Sequence, residues 1–379
     1  LCQVVTEIER CEECGVPVLI GEELRWEDGG VISMAQSPGN RMVIYESNII
    51  DNVFRGVEEL TGEPIELLAI ESRRRETRRF IERSFPFEVR NTLLIGEPDR
   101  DDQSTQAGRM LYQSVQRIRK DLSERVINYA RTFGYGDVAM DWESGEPYPW
   151  RKLVIRNPYS LSLWKADVLG TVEAFEGVDM CVESEEMGDD VFQVRVSPGE
   201  HPVALRERLG RRKGYEFKEG DIAYEMCATC GIPKDIAGYE WDLARGTITA
   251  KDTGRRVAIF GSLAVDAVLD DVVAEHGPAV EQAVIEAQRR FVKARVDASQ
   301  AREVAASLKF YLARRGLGYL SELQADARSM SAKVTNACLH LLMVGMAQAF
   351  FELILEKESA APQWELSEDG VLHIAIQAK

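Results

Sequence analysis

The chain has 379 residues, 45% apolar and 29% charged, with a formal net charge of −17. Its length suits about two to four domains with ordinary cores, its composition is that of a soluble globular protein, and its negative balance argues against general nucleic-acid binding. No apolar run reaches the ~20 residues a membrane-spanning helix needs; the longest stretch, 337–355, is interrupted by His340, Gln348 and Glu352.

The chain opens with a knuckle, Cys11-Glu-Glu-Cys14-Gly-Val-Pro, followed by Trp26 and two short apolar segments that predict strands at Val31–Met34 and 42–46. Ile50, Val53, Phe54, Val57 and Leu60 then recur at helical spacing, an amphipathic helix that Gly62 ends. A second helix over 64–83 carries Arg73, Arg74, Arg75, Arg78 and Arg79. The polar insert 96–108 reads as an exposed loop, and a helix over 110–133 stops at Gly134-Tyr-Gly136. A stretch ending in Asn157 leads to an apolar helix over 159–176 and an alternating strand over 191–196. Residues 197–220, rich in Gly, Pro and Arg, read as a linker. Its Arg206 to Lys213 cluster is a solvated charge run before it is a nucleic-acid contact.

After the linker the order repeats. Cys227-Ala-Thr-Cys230-Gly-Ile-Pro answers the first knuckle and Trp241 answers Trp26. From Gly39/Gly254 the two segments run in one register through Arg41/Arg256, Ile44/Ile259, Asp51/Asp266, Val57/Val272, Gly62/Gly277 and Glu71/Glu286 to Arg75/Arg290. Strands are expected at Thr247–Ala250 and 257–261, helices over 265–272, 278–296 and 302–315, an apolar helix over 337–356, and a closing strand over 371–376. This is the pattern of an internal tandem duplication of α+β class.

Two residues between cysteines, followed by Gly, suit a metal knuckle, because the tight turn aims backbone N–H groups at the thiolates. A closed structural zinc site takes four ligands and each knuckle supplies two. Cys11, Cys14, Cys227 and Cys230 therefore converge, on one reading, on a single shared four-cysteine zinc site about a pseudo-two-fold axis. Two other readings stay open: each pair completing its site with a second chain, and redox or disulfide pairs. Seven cysteines used in this way suit a reducing compartment, which points to the cytoplasm.

The arginine-rich helices read either as an anion clamp or as a solvated face pairing with surplus carboxylates, with Glu71 and Arg74 an ordinary intrahelical pair. The apolar helices offer Trp164, Val168 and Phe175 in the first half and Met343, Met346 and Phe350 in the second. These residues either line a pocket for a small hydrophobic molecule or fill a core. No residue is nominated as catalytic: the sequence has no Gly-x-Ser-x-Gly elbow, phosphate loop, dinucleotide fingerprint or His-Glu-x-x-His. His340 sits on an apolar helix, where a satisfied core histidine is the expectation.

The succession helix, Gly-x-Gly, Asn157, apolar helix, then Gly188-Asp-Asp-Val-Phe-Gln-Val resembles the vinyl-4-reductase-type domain, over about 110–196 and, in weaker form, 303–376. The resemblance implies a small-ligand-binding α+β fold with a hydrophobic ligand. The cysteine pair that flanks the Gly-Asp-Asp turn in that family is represented here by Cys181 alone. The expected organisation is a knuckle and helical module over 1–95, an α+β domain with a small antiparallel sheet over 96–200, a linker over 201–222, and a second module and domain over 223–300 and 301–379. The expected function is non-catalytic binding of a small hydrophobic molecule by a zinc-stabilised pseudo-dimer, as sensor, carrier or scaffold, with a protein partner or homo-oligomer in addition. An enzyme or accessory subunit acting on an aromatic or tetrapyrrole-like substrate is one alternative, and a structural assembly subunit without ligand is another.

Overall fold

The computed structural model describes residues 8–94, 104–140, 149–201 and 216–379. Residues 96–103 of the insert expected over 96–108 and the charged cluster at 206–213 lie outside the described residues, and positions 106–108 of that insert are helical rather than loop. Along the chain, α1 (Val18–Glu23) follows the first knuckle and leads into β1 (Leu24–Glu27), β2 (Val31–Met34) and β3 (Ser37–Glu46). Helices α2 (Ile49–Thr61), α3 (Glu66–Ser84), α4 (Phe87–Leu93) and α5 (Gln106–Thr132) come next. They are followed by β4 (Asp137–Met140), β5 (Lys152–Arg156), α6 (Leu161–Glu176), β6 (Met180–Gly188) and β7 (Val191–Pro198). After the second knuckle come β8 (Tyr239–Asp242), β9 (Thr247–Ala250), β10 (Arg256–Gly261), α7 (Ser262–His276) and α8 (Ala279–Lys293). The chain closes with α9 (Ala298–Ala306), α10 (Leu308–Arg314), β11 (Tyr319–Ala325), β12 (Ser329–Thr335), α11 (His340–Leu355), β13 (Gln363–Leu366) and β14 (Leu372–Gln377).

The fold is mixed α and β with antiparallel sheets. Two compact units result. The first comprises Leu1–Glu9, Leu67–Glu207 and Trp241–Thr249; the second comprises Arg10–Glu66, Arg208–Glu240 and Ala250–Lys379. The second unit holds a sheet in which β1, β2, β3 and β10 are neighbours in that order and a smaller one of order β11-β12-β14-β13, and the first unit holds one of order β4-β5-β7-β6.

Within the second unit, β3 and β10 pair so that Ile44 lies opposite Ile259, Met42 opposite Gly261 and Glu46 opposite Val257. Ile44 thus faces the residue that the sequence register makes its own counterpart. Each flanking residue faces the counterpart of its mirror position. α2 follows as expected from its stripe, burying Ile50, Val53, Phe54 and Val57, and ends where Gly62 takes a left-handed φ of 76°. The helix expected over 302–315 is instead two. α9 begins earlier, on an Asp297–Gln300 capping box, and Ser307 breaks the run before α10.

β1 and β8, absent from the expectation, are four-residue strands whose alternating burial, Leu24 and Trp26 or Tyr239 and Trp241 inward, is too short to register as a period. In the second unit the Trp26 indole donates to the Arg314 carbonyl, where α10 ends (3.0 Å). In the first unit the Trp241 indole donates to the Thr132 carbonyl, where α5 ends (2.9 Å). Asn336 and Asn157 act the same way: Asn336 donates to the Gly29 carbonyl (2.9 Å) and Asn157 to the Arg245 carbonyl (3.4 Å). Each hairpin that follows a knuckle is therefore held by the small-sheet domain from the opposite half of the sequence.

In the first unit α6 buries Leu163, Ala166, Leu169 and Val172 beside the β6–β7 hairpin. In the second, α11 is apolar almost all round and buries nearly every residue from His340 to Glu352, as a core helix must. Each large apolar side chain so buried contributes about 1.5–3 kcal/mol.

Candidate metal centre

Each knuckle is a closed turn. The amide of Cys11 donates to the Val16 carbonyl (2.8 Å) and that of Gly15 to the Cys11 carbonyl (2.8 Å). In the second, Cys227 donates to Ile232 (2.7 Å) and Gly231 to Cys227 (3.0 Å). Gly15 and Gly231 have φ of 73° and 69°, the left-handed conformation that explains glycine directly after each pair. Single bridges between Arg10 and Pro17 and between Met226 and Pro233 close the loops.

The two turns bring all four thiols together inside the second unit. Cys11 Sγ lies 3.7 Å from Cys227 Sγ and Cys14 Sγ lies 3.5 Å from Cys230 Sγ, in each case across 216 positions of sequence. All four ligand atoms fall within 4.8 Å of one another. A tetrahedral zinc with Zn–S bonds of about 2.3 Å sets its sulfurs ~3.8 Å apart, so the donor set and its dimensions fit one tetrahedral ion. A disulfide needs about 2.05 Å, and all four cysteines are free. Cys11 and Cys227 form the buried side of the cluster and Cys14 and Cys230 the half-buried side.

The thiols do not share one environment. Backbone N–H groups, that of Cys14 first, hold the Cys11 thiol down to about 7. Burial pushes Cys14 up, and Cys230 further up, so a cation that takes the place of their protons favours the deprotonated set. Glu13 reaches across from the first knuckle and accepts hydrogen bonds from the Thr229 amide (3.2 Å) and hydroxyl (2.9 Å). The Cys227 thiol, followed by Thr229, holds the Glu13 carboxyl below the usual carboxylate range. α1 packs directly on the second knuckle: a Cβ on Gly21 would lie 2.3 Å from the Cys230 carbonyl oxygen.

The six residues proposed to line a ligand pocket fall in two places. Trp164 and Val168 are buried on α6 and Phe175 is half-buried there, in the first unit. The Trp164 indole donates to the Tyr135 carbonyl (2.8 Å), and Phe175 packs against Phe85 with centroids 5.8 Å apart. Met343, Met346 and Phe350 are buried on α11, in the second unit. Met346 and Phe350 border a cavity of about 20 Å³ with Tyr45, Gln288 and Tyr311, room for about one water molecule. His340 is buried against Trp364, with ring centroids 5.0 Å apart.

The sequence reading missed a buried charge cage in each unit. In the first, Arg74 of α3 donates to Glu71 (Nε–Oε2 2.7 Å) and to Glu173 of α6. Glu173 is fully buried and also accepts the Met180 amide (3.1 Å), with His201 Nε2 3.0 Å away. In the second, Arg289 of α8 donates to Glu286 (3.1 Å) and to Glu352 of α11 (2.8 Å), and Glu352 accepts the Ser359 amide (3.1 Å). Lys293 adds a contact to Glu352 at 2.8 Å. These helix faces are therefore not simply solvated: Arg74 and Arg289 lock α3 to α6 and α8 to α11. The available signal was a lone glutamate in an apolar run, Val172-Glu-Ala-Phe and Phe351-Glu-Leu. Glu173, Asp179 and His201 together make a second possible donor set for a cation, but Arg74 and Arg78 already pair with its carboxylates.

The site is thus a compact four-thiol centre capable of holding one metal ion within a mixed α/β chain. None of the described helices is long and apolar enough to cross a membrane. No protein-family model, curated protein or solved structure matches the chain.

Proposed function

We propose that this chain is a non-catalytic scaffold, an internal tandem duplication folded as a pseudo-dimer and stapled by one structural zinc ion. Its two small-sheet domains are vinyl-4-reductase-like, and the cytoplasm is its compartment. The observation that carries the reading is that the thiols meet as counterparts, Cys11 with Cys227 and Cys14 with Cys230. The same logic centres β3 and β10 on Ile44 and Ile259. A metal binding the four thiols closes a loop of 216 positions and adds its binding free energy to folding. Half-open sites shared with another chain, or redox pairs, would leave that correspondence without a role. Cobalt substitution tests this. Tetrahedral d–d bands and thiolate-to-cobalt charge transfer of a four-thiolate ion are expected, and both should disappear in Cys227→Ser and in Cys11→Ser alike. A surviving two-thiolate spectrum in either variant would refute the shared site.

A second reading is binding of a small hydrophobic molecule in the second unit. It requires the one-water cavity at Met346 and Phe350 to open, and methionine is the side chain that most readily repacks to admit a ligand. Apolar ligands should then raise the melting temperature of the native chain, and Met346→Trp should abolish the rise. An accessory role on an aromatic substrate would show turnover in addition.

A further inference from the structure

The four thiols of the metal centre do not face solvent equally. Cys11 and Cys227 are 4% and 2% exposed, whereas Cys14 and Cys230 are half-buried, so one counterpart pair is screened and the other is within reach of a small solute. The two outer sulfurs belong to different knuckles and lie 3.5 Å apart. A disulfide of about 2.05 Å would draw them together by only about 1.5 Å. Two contacts that involve no thiol hold the knuckles side by side at this edge. The Glu13 carboxylate, one residue before Cys14, accepts from the amide (3.2 Å) and hydroxyl (2.9 Å) of Thr229, one residue before Cys230. Gly21 lets α1 lie against the second knuckle, where a Cβ would come within 2.3 Å of the Cys230 carbonyl oxygen. Neither contact depends on a metal, so both keep Cys14 beside Cys230 once an ion has left.

We propose that the centre is a redox switch in which hydrogen peroxide exchanges the zinc for a disulfide between Cys14 and Cys230. The inference rests on the shared zinc site proposed above. One outer sulfur takes an oxygen from peroxide as the O–O bond breaks, giving a sulfenic acid and hydroxide. The other outer thiolate attacks that sulfur, the S–S bond forms and a second hydroxide leaves. Each sulfur loses one electron and peroxide gains the two. Cys11 and Cys227 are then a two-ligand set, too few to hold the ion, and two protons replace it on their sulfurs. Both reachable sulfurs belong to one pair, so whichever is oxidised first has the other as its resolving thiol. The metal staple is traded for a covalent one across the same 216 positions. In a reducing compartment such a bond is transient and is reopened by dithiols.

The test treats the full zinc-loaded chain with hydrogen peroxide. A chromophoric chelator should report release of the zinc, and peptide mapping without reductant should find Cys14 joined to Cys230. Dithiothreitol with added zinc should then restore the loaded chain. A chain that holds no zinc before peroxide is added would refute the shared site itself, and the exchange with it. Zinc that is present but retained under peroxide would overturn the exchange and leave the shared site standing. So would release accompanied by Cys11–Cys14 and Cys227–Cys230 links, by sulfinic acids in place of the cross-link, or by a product that dithiothreitol and zinc do not reverse.

Discussion

Replacing Arg74 by leucine removes the cation at the centre of the first cage and leaves two buried carboxylates behind. The Arg74 side chain is 7% exposed, that of Glu173 0% and that of Glu71 6%. Breaking a buried pair from one side costs about 3–5 kcal/mol, because the remaining charge has neither water nor a partner. Here the loss is partly offset: Arg75 stays 2.9 Å from Glu71 and Arg78 3.6 Å from Glu173. The low end follows, about 3 kcal/mol, a fall of about 6–12 °C in melting temperature for a unit of this size. Arg79→Leu, on the same helix but 47% exposed, should change stability by no more than about 0.5 kcal/mol. Arg74→Leu combined with Glu173→Leu should recover part of the loss, since the buried Glu173 charge then leaves with Arg74 while Glu71 keeps Arg75 at 2.9 Å. Arg289→Leu should cost less, because Lys293 still reaches Glu352 at 2.8 Å. Urea unfolding followed by circular dichroism measures all four. An Arg74→Leu variant within about 1 kcal/mol of the parent, or a double variant no better than the single, would refute the cage as a lock between α3 and α6.

Two further outcomes follow from single positions. Although burial alone would raise the Glu352 carboxyl, Arg289 and Lys293 outweigh it and hold the group at about 2. A depressed carboxylate contributes stability that is full above its unfolded value of about 4.3 and is lost as pH falls toward the folded one. The second unit should therefore weaken between pH 4.5 and 2, and Glu352→Gln should start less stable and show a flatter profile in acid melts. Gly30 has φ of 71° and a Cβ there would lie 2.3 Å from the Gly318 carbonyl oxygen, while Gly62, φ 76°, has open space. Gly30→Ala should cost clearly more than the ~1 kcal/mol of left-handed strain expected for Gly62→Ala, and equal losses would show that the hairpin does not dock as described.

The metal centre was legible because cysteine chemistry demands a fixed ligand count: two pairs in one chain propose a single four-cysteine set. The long helices were legible where an amphipathic stripe ran into a capping glycine, as in α2. What the sequence could not show is which half each hairpin serves. Trp26 and Trp241 have equivalent partners in either half, so the same donors and acceptors satisfy both arrangements, and only the geometry connects Trp241 to Thr132 and Trp26 to Arg314. β6 escaped because Glu183 to Met187 all face solvent and three of those five are glutamates, with no alternation to follow. The cages escaped because three consecutive arginines look solvated, and nothing in that run says that Arg73 reaches Asp167 and Arg74 reaches Glu173, both on α6. Among the six expected pocket residues, their apolar character predicted burial equally well whether or not any space remained beside them.

Native mass spectrometry of the chain purified without added metal bears most directly on the proposed staple. The account predicts one zinc ion per chain, carried by the monomer, and complete loss of the ion on replacing Cys11, Cys14, Cys227 or Cys230 singly. Zinc-free native chain, two ions per chain, or an ion found only at the mass of a dimer would contradict it.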